Sequence, residues 1–198
     1  MEVIEIPPQE IEIPQRAIAA RMGFKGIGEI PDHFKPIYEE LISLLLKVSK
    51  PLIAFDDFVP SMDNGEILID NVKITGILGK SQLGKSIEIT AMLITLGEQI
   101  DEEIANFHQS GDDLRSFMLD SIGSEFVEYV ARKFDASLRS KKSLKGSARI
   151  APGYVDLPIT LNKWFASKFG KAISVTIDPE SFVFLPRKTI SAFIGWSN

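Results

Sequence analysis

The sequence predicts an α+β fold: a single domain with a largely antiparallel, twisted sheet and flanking helices. Three observations carry that reading. Strand-like runs come in hairpin-like pairs, around Asn64-Gly65 and again near the C-terminus. Helical patterns interrupt the strands irregularly, not one for one as a doubly wound fold requires. The 198 residues, 44% hydrophobic and 25% charged, supply one substantial core and not obviously two. Residues 1–14 read as an extended arm and residues 15–198 as the domain.

The elements follow in order. Val3, Ile4 and Ile6 interleave with Glu2 and Glu5 as in an edge strand, and Pro14 closes the arm. Residues 15–22 read as a short helix stopped by Gly23, and a glycine-rich loop follows to Pro31. Pro36, in a first helical turn, opens a helix to about Ser49; Ile37, Leu41, Leu44, Leu45 and Val48 recur at helical spacing. Pro51 cuts it off. Residues 52–59 read as a strand, Asn64-Gly65 as a tight turn, and residues 66–74 as one returning strand. A short helix is expected over 75–84, a β-branched strand over 87–95, and a helix over 98–108 with Ile100, Ile104 and Phe107 inward. Ser110-Gly111-Asp112 breaks the chain before a long helix over about 113–140. Its apolar stripe runs from Leu114 and Phe117 through Val130 and Phe134 to Leu138. Thr160 is placed to cap a helix through Trp164 and Phe169. Residues 171–177, 182–185 and 188–196 read as three strands.

Composition narrows the function. A net charge of −5 argues against a nucleic-acid partner. The absence of cysteine excludes disulfides, thiolate metal sites and a cysteine nucleophile, and two histidines are too few for a histidine metal cage. The N-terminal residues lack the basic and apolar regions of a secretory signal, and no apolar run approaches a membrane span. A soluble cytoplasmic protein with no membrane partner is expected.

Several residues carry chemistry. In Arg149-Ile150-Ala151-Pro152-Gly153-Tyr154 the proline stiffens the loop and Gly153 permits a positive φ or close backbone approach. Arg149 offers a planar fork to a carboxylate, and Tyr154 offers an aromatic face with one hydroxyl. These properties suit an anionic, partly flat small molecule; they equally describe a Pro-Gly turn with a capping aromatic. Asp56-Asp57 can share a proton or hold a metal, or stand as a solvated strand end. Glu128 lies four residues before Arg132, the spacing of a surface ion pair. His108 reads as a capping or surface histidine. Gly79-Lys80-Ser81-Gln82-Leu83-Gly84-Lys85-Ser86 fits a P-loop, but the β-branched run after it reads as a strand where a P-loop needs a helix. A nucleotide-binding protein is therefore the least favoured reading.

Arg149-x-x-Pro152-Gly153-Tyr154, followed by Pro158, resembles the S-adenosylmethionine (AdoMet) binding signature of the activation domain of cobalamin-dependent methionine synthase. Thr95-Leu96-Gly97, the run from Leu119 to Gly123 leading to Glu128, and Glu180-Ser181-Phe182 with Pro186 and Thr189-Ile190-Ser191 are similar to further parts of that domain, in the same order. The resemblance spans most of the chain from about Ala17. It implies the activation-domain fold and a site in which Arg149 holds the methionyl carboxylate. Ala151 and Gly153 would offer backbone groups, Tyr154 would line the pocket, Glu128 would face the ammonium or sulfonium, and Asp56 or Asp57 would also meet the ammonium. No residue is assigned a catalytic or metal-binding role.

The same resemblance implies a role in the reductive remethylation of cob(II)alamin, with the electron delivered by a flavodoxin- or ferredoxin-type donor. The Asp-x-His-x-x-Gly motif for cobalamin is absent, and Asp32-His33 does not fit it. No cysteine is present to hold zinc. The corrinoid is therefore expected on a separate methionine synthase or related methyltransferase, with this chain an accessory module. The alternative is a non-catalytic AdoMet- or corrinoid-sensing or chaperone module.

Overall fold

The computed structural model describes residues 1–198. An edge strand, β1 (Glu2–Glu5), leads through a 3-10 turn at Pro8–Glu10 to α1 (Gln15–Arg21), which stops where Gly23 takes a φ of +93°. α2 (Lys35–Val48) carries Pro36 in its first turn, where no N–H is needed, and buries Tyr38, Leu41 and Leu45. β2 (Leu52–Phe58) follows. β3 (Ser61–Asp63) and β4 (Glu66–Ile69) meet at Asn64-Gly65, whose φ values of 51° and 78° are those a two-residue hairpin demands. Asp70, at φ 52°, turns the chain once more into β5 (Val72–Ile74). The run 66–74 is thus two strands, because aspartate tolerates the left-handed region.

α3 (Ile77–Leu83) leads into β6 (Glu88–Thr95), α4 (Gln99–Gln109) and the long α5 (Asp113–Lys141). The Asp112 side chain caps α5 by accepting from the Arg115 amide at 3.0 Å. After β7 (Lys145–Gly146) and the loop 149–158, a 3-10 turn at Ile159–Leu161 enters α6 (Asn162–Phe169). Thr160 sits inside that turn and caps nothing; Pro158, with its fixed φ, starts it. β8 (Thr176–Ile177), β9 (Phe184–Leu185) and β10 (Thr189–Ser197) end the chain. The strand expected over 171–177 shrinks to two residues because Gly170–Ala172 forms a 3-10 turn and Ser174 takes a φ of +56°.

Five strands form the main sheet in the order β1-β2-β6-β10-β7, every pairing antiparallel. β3, β4 and β5 make a separate small sheet. Successive side chains of the central strands enter opposite layers. Ile53, Phe55, Met92, Ile94, Ala192 and Ile194 pack with α1, α2, α4 and α5. Ala54, Ala91, Leu93 and Phe193 pack with the small sheet, α3 and α6, where Phe165 and Phe193 lie 4.7 Å apart by ring centroid. Both faces are covered, so these strands read as nearly continuous apolar runs. Leu114 and Phe117, at the start of the expected α5 stripe, are exposed beside Met22, Phe24 and Phe34. No helix is long and apolar enough to cross a membrane.

One long-range cap ties the loop 149–158 to the rest. α3 has no capping side chain of its own; Gly76 precedes it at φ +94°. The Asp156 carboxylate instead accepts from the amides of Ile77 and Leu78, at 2.5 and 3.0 Å. A Cβ on Gly76 would lie 2.7 Å from the Asp156 carbonyl oxygen, so the approach requires glycine. Those two amides hold the Asp156 carboxyl below its ordinary value of 3.8. A carboxyl depressed on folding contributes stability above its unfolded pKa and loses it as pH falls through the folded one. Melting temperature is therefore expected to fall as pH drops below about 4, and Asp156→Asn, which keeps an acceptor without the charge, is expected to have a shallower acid limb in a calorimetric pH series.

Candidate functional site

The site is built where pairing along one edge of β10 stops. Beyond β7, Ser147 exchanges bonds with Gly195, and Ile150 exchanges two with Phe193: Ile150 N–H to the Phe193 carbonyl at 3.0 Å and Phe193 N–H to the Ile150 carbonyl at 2.8 Å. Pro152 then follows, which has no N–H to continue a ladder. In an antiparallel strand, residues two apart present their main-chain groups to the same edge. Those of Ser191 and Thr189 therefore face the space into which the loop 149–154 diverges. This space is a cavity of about 330 Å³ between that loop, β10, Glu128 of α5, Asn162 of α6, Phe182 and Arg187.

Arg149 sets its electrostatics. One terminal nitrogen, Nη2, donates to Glu128 Oε2 at 2.7 Å, with the two side chains 18% and 31% exposed. The other, Nη1, is buried without a partner. An unsatisfied buried donor costs about 1–3 kcal/mol, and more when charged, so the guanidinium is an incomplete binding element. Deeper in, the Ser191 hydroxyl donates to Asn162 Oδ1 at 2.7 Å, and Asn162 Nδ2 donates to the Phe182 carbonyl at 3.1 Å. This satisfied chain fixes the polar wall of the cavity.

The loop's shape comes from its own bonds. The Tyr154 amide donates to the Ala151 carbonyl at 3.1 Å across Pro152-Gly153, and Gly153 takes a φ of +87°. The Gly153 amide is spent on the Leu157 carbonyl at 2.8 Å, and a Cβ there would meet Ile159 at 3.1 Å. Gly153 thus shapes the bend from behind, whereas the Ala151 amide has no partner within the chain. The Tyr154 ring stands half exposed at the mouth.

Comparison places this architecture among known structures. No family model and no curated protein sequence matches the chain. The crystal structure of the MetH reactivation domain bound to AdoHcy is similar to it, with a TM-score of 0.72 and 16% identity, over 98% of this chain and 77% of that one. At that identity the likeness shows the fold: this chain has the α+β architecture of the MetH reactivation domain, with antiparallel twisted sheets and flanking helices.

Of the residues singled out in the sequence, the cavity brings together Glu128, Arg149, Ala151 and Tyr154, with Gly153 behind them. It does not bring Asp56 or Asp57. Both lie on β2, separated from β10 by the whole of β6. Asp56 pairs with the N-terminal ammonium at 3.1 Å. Asp57 accepts from the Thr90 hydroxyl and from Lys142 Nζ, the latter at 2.7 Å, and Lys142 also bonds Glu88. Trp196 Nε1 donates to Thr90 at 2.7 Å beneath them, so Asp57 anchors the end of α5 to the sheet. No third His, Asp or Glu joins the pair in a group able to hold a metal ion. Glu128 reaches Arg149 and not Arg132, which stands over the Tyr129 ring; His108 bonds Asp113 at 2.8 Å on the surface.

The P-loop pattern is a coincidence of composition. Its amides close the turns of α3: Lys80 to Gly76 at 3.2 Å, Gly84 to Lys80 at 3.0 Å and Ser86 to Leu83 at 3.0 Å. Ser86 packs so closely on Gly195 that a Cβ there would lie 2.0 Å from its hydroxyl. A strand follows, and no amide cradle remains for phosphate.

Sequence reasoning missed Asn162 and Arg187 as lining residues, and it quoted Phe182 and Ser191 without assigning them to the site. Asn162 carries a faint signal, an amide beside Leu161, Trp164 and Phe165 at a helix start whose one other polar residue is Lys163. Glu128→Gln is expected to cost about 1–3 kcal/mol in urea denaturation, because the Arg149 guanidinium loses its only charged acceptor. Combining it with Arg149→Met is expected to recover most of that loss, the signature of a coupled pair.

Proposed function

We propose that this cavity binds AdoMet, and that the protein supports reductive remethylation of cob(II)alamin carried by a separate cobalamin-dependent methionine synthase or related corrinoid methyltransferase. The observation that carries the reading is the buried, unpartnered Nη1 of Arg149. It fits a ligand carboxylate, which supplies the charged acceptor that the folded chain withholds. The Ala151 amide and the open edge at Ser191 and Thr189 suit the remaining polar groups of an amino acid or nucleoside. The Tyr154 ring suits a flat base. A volume of about 330 Å³ lies within the usual range for small-molecule sites.

AdoMet, when bound, supplies the methyl group. The chain's own residues bind and orient. Arg149 holds the carboxylate, and Glu128 fixes the guanidinium in plane while offsetting positive charge in the ligand. The loop 149–154 fixes both through its tie to β10 and through the Asp156 cap on α3. The corrinoid comes from the partner protein and the electron from a flavodoxin- or ferredoxin-type donor.

Two measurements test this. In calorimetric titration with AdoMet, Arg149→Ala is expected to lose about 2–4 kcal/mol of binding free energy; an unchanged affinity removes Arg149 from the site. In the second, the protein is mixed with cob(II)alamin-loaded methionine synthase, AdoMet and a reduced flavodoxin-type donor. Methylcobalamin is expected to accumulate by absorbance. Binding without any gain in methylcobalamin assigns the protein to the sensing or chaperone class, which uses the same cavity.

A further inference from the structure

We propose that Asn162 is a positioning residue of this site: through the Phe182 carbonyl it keeps Phe182 in a left-handed backbone conformation and so sets the wall of the cavity that the β8–β9 hairpin supplies. The inference rests on the assignment of the cavity to AdoMet and deepens it by naming a residue on which its shape depends.

Phe182, Val183 and Phe184 line the cavity from the hairpin that β8 and β9 form. Within it Phe182 takes a φ of +59°. Asn64 and Asp70 share that region, and their short polar side chains ease it. A bulky phenylalanine has no such relief and stays there only where its surroundings impose it. Backbone strain of this kind gathers at ligand sites.

Two sets of bonds impose it. From within the hairpin, the Phe182 amide donates to the Asp178 carbonyl at 3.0 Å, and the Asp178 carboxylate accepts from the amides of Glu180 and Ser181 at 3.1 and 2.7 Å. From outside, Asn162 Nδ2 donates to the Phe182 carbonyl at 3.1 Å, the one hydrogen bond that reaches residues 178–183 from beyond the hairpin. A carbonyl can only accept, so it fixes which way the Asn162 amide points and leaves Oδ1 to receive the Ser191 hydroxyl at 2.7 Å. Asn162 is only 6% exposed, and its neighbour Lys163 sets its ammonium over the Phe182 ring, 4.7 Å from the centroid. The asparagine thus ties the strained residue to β10 and α6 at once. With that tie removed, Phe182 is free to relax, and the wall loses its fixed place relative to Arg149.

The test uses the whole chain with Asn162→Ala and Asn162→Asp, a melting curve checking the fold of each. Without ligand, amide hydrogen exchange at Asp178 and Phe182 is expected to quicken about ten-fold in Asn162→Ala, the worth of one hydrogen bond. In calorimetric titration with AdoMet, the same variant is expected to bind about ten-fold more weakly. Asn162→Asp keeps the acceptor for Ser191, and at neutral pH its carboxylate cannot donate to Phe182. Once protonated it can, and burial raises the pH at which that happens. Its affinity relative to wild type is therefore expected to recover as pH falls from 7.5 to 5 (both figures approximate). Glu128, Arg149, Lys163, Asp178 and Arg187, the charged groups around the cavity and the hairpin tip, are common to both proteins and drop out of the ratio. A purely structural asparagine gives no such recovery. Unchanged exchange, unchanged affinity in Asn162→Ala, or a flat ratio for Asn162→Asp overturns the positioning role and leaves the cavity assignment intact. Wild type that binds no AdoMet overturns both.

Discussion

Two hydrogen bonds between Ile150 and Phe193 govern the geometry of this molecule's cavity. They hold the loop after α5 against the last strand, and they are also where that edge of the sheet ceases to be paired. A strand edge ordinarily must be covered or charged to avoid further pairing. Here the covering loop swings away after one bridge because proline cannot continue it. The space opened between loop and strand is the cavity, lined by main-chain groups on one side and by Arg149 on the other. The bridge also sets the distance at which Arg149 meets Glu128 on the long helix.

The loop is held at both ends by partners remote in sequence. At one end it joins β10, and at the other Asp156 caps α3. A rigid, twice-anchored loop can keep a guanidinium donor buried and unpaired without collapsing onto it, and such preorganisation suits a binding site better than a catalytic lid. The acidic residues that do not serve the cavity serve the scaffold. Asp57 and Glu88 hold Lys142 beside Trp196, and Asp120 holds Lys188 under the start of β10. Charge at the cavity is consequently sparse, with Glu128, Arg149 and Arg187 its only charged side chains.

The P-loop pattern shows how a motif loses its meaning outside its context. The chemistry of such a loop resides in free amides aimed at one point. In this chain those amides are consumed by the turns of a short helix, and the serine that would meet magnesium is packed against a glycine of β10. The β-branched residues after Ser86 already carried that outcome, since they favour a strand over the helix a phosphate site requires.

The sequence by itself determined the fold class, α2 and α5 to within a residue or two, and the rigid bend at Pro152-Gly153. These depend on local periodicity and on the backbone limits of proline and glycine. It also grouped Arg149, Ala151 and Tyr154, because neighbours on a stiff loop stay together in space. Only the tertiary structure decided that Glu128 faces Arg149 and not Arg132, that Asp56 and Asp57 belong to the opposite side of the sheet, and that Asn162 and Arg187 join the cavity. A strand alternates its side chains regardless of which neighbour it will have, so local pattern fixes the face but not the distance between elements. That distance is set by the order β1-β2-β6-β10-β7, which arises from long-range pairing and leaves no mark on any short stretch of chain.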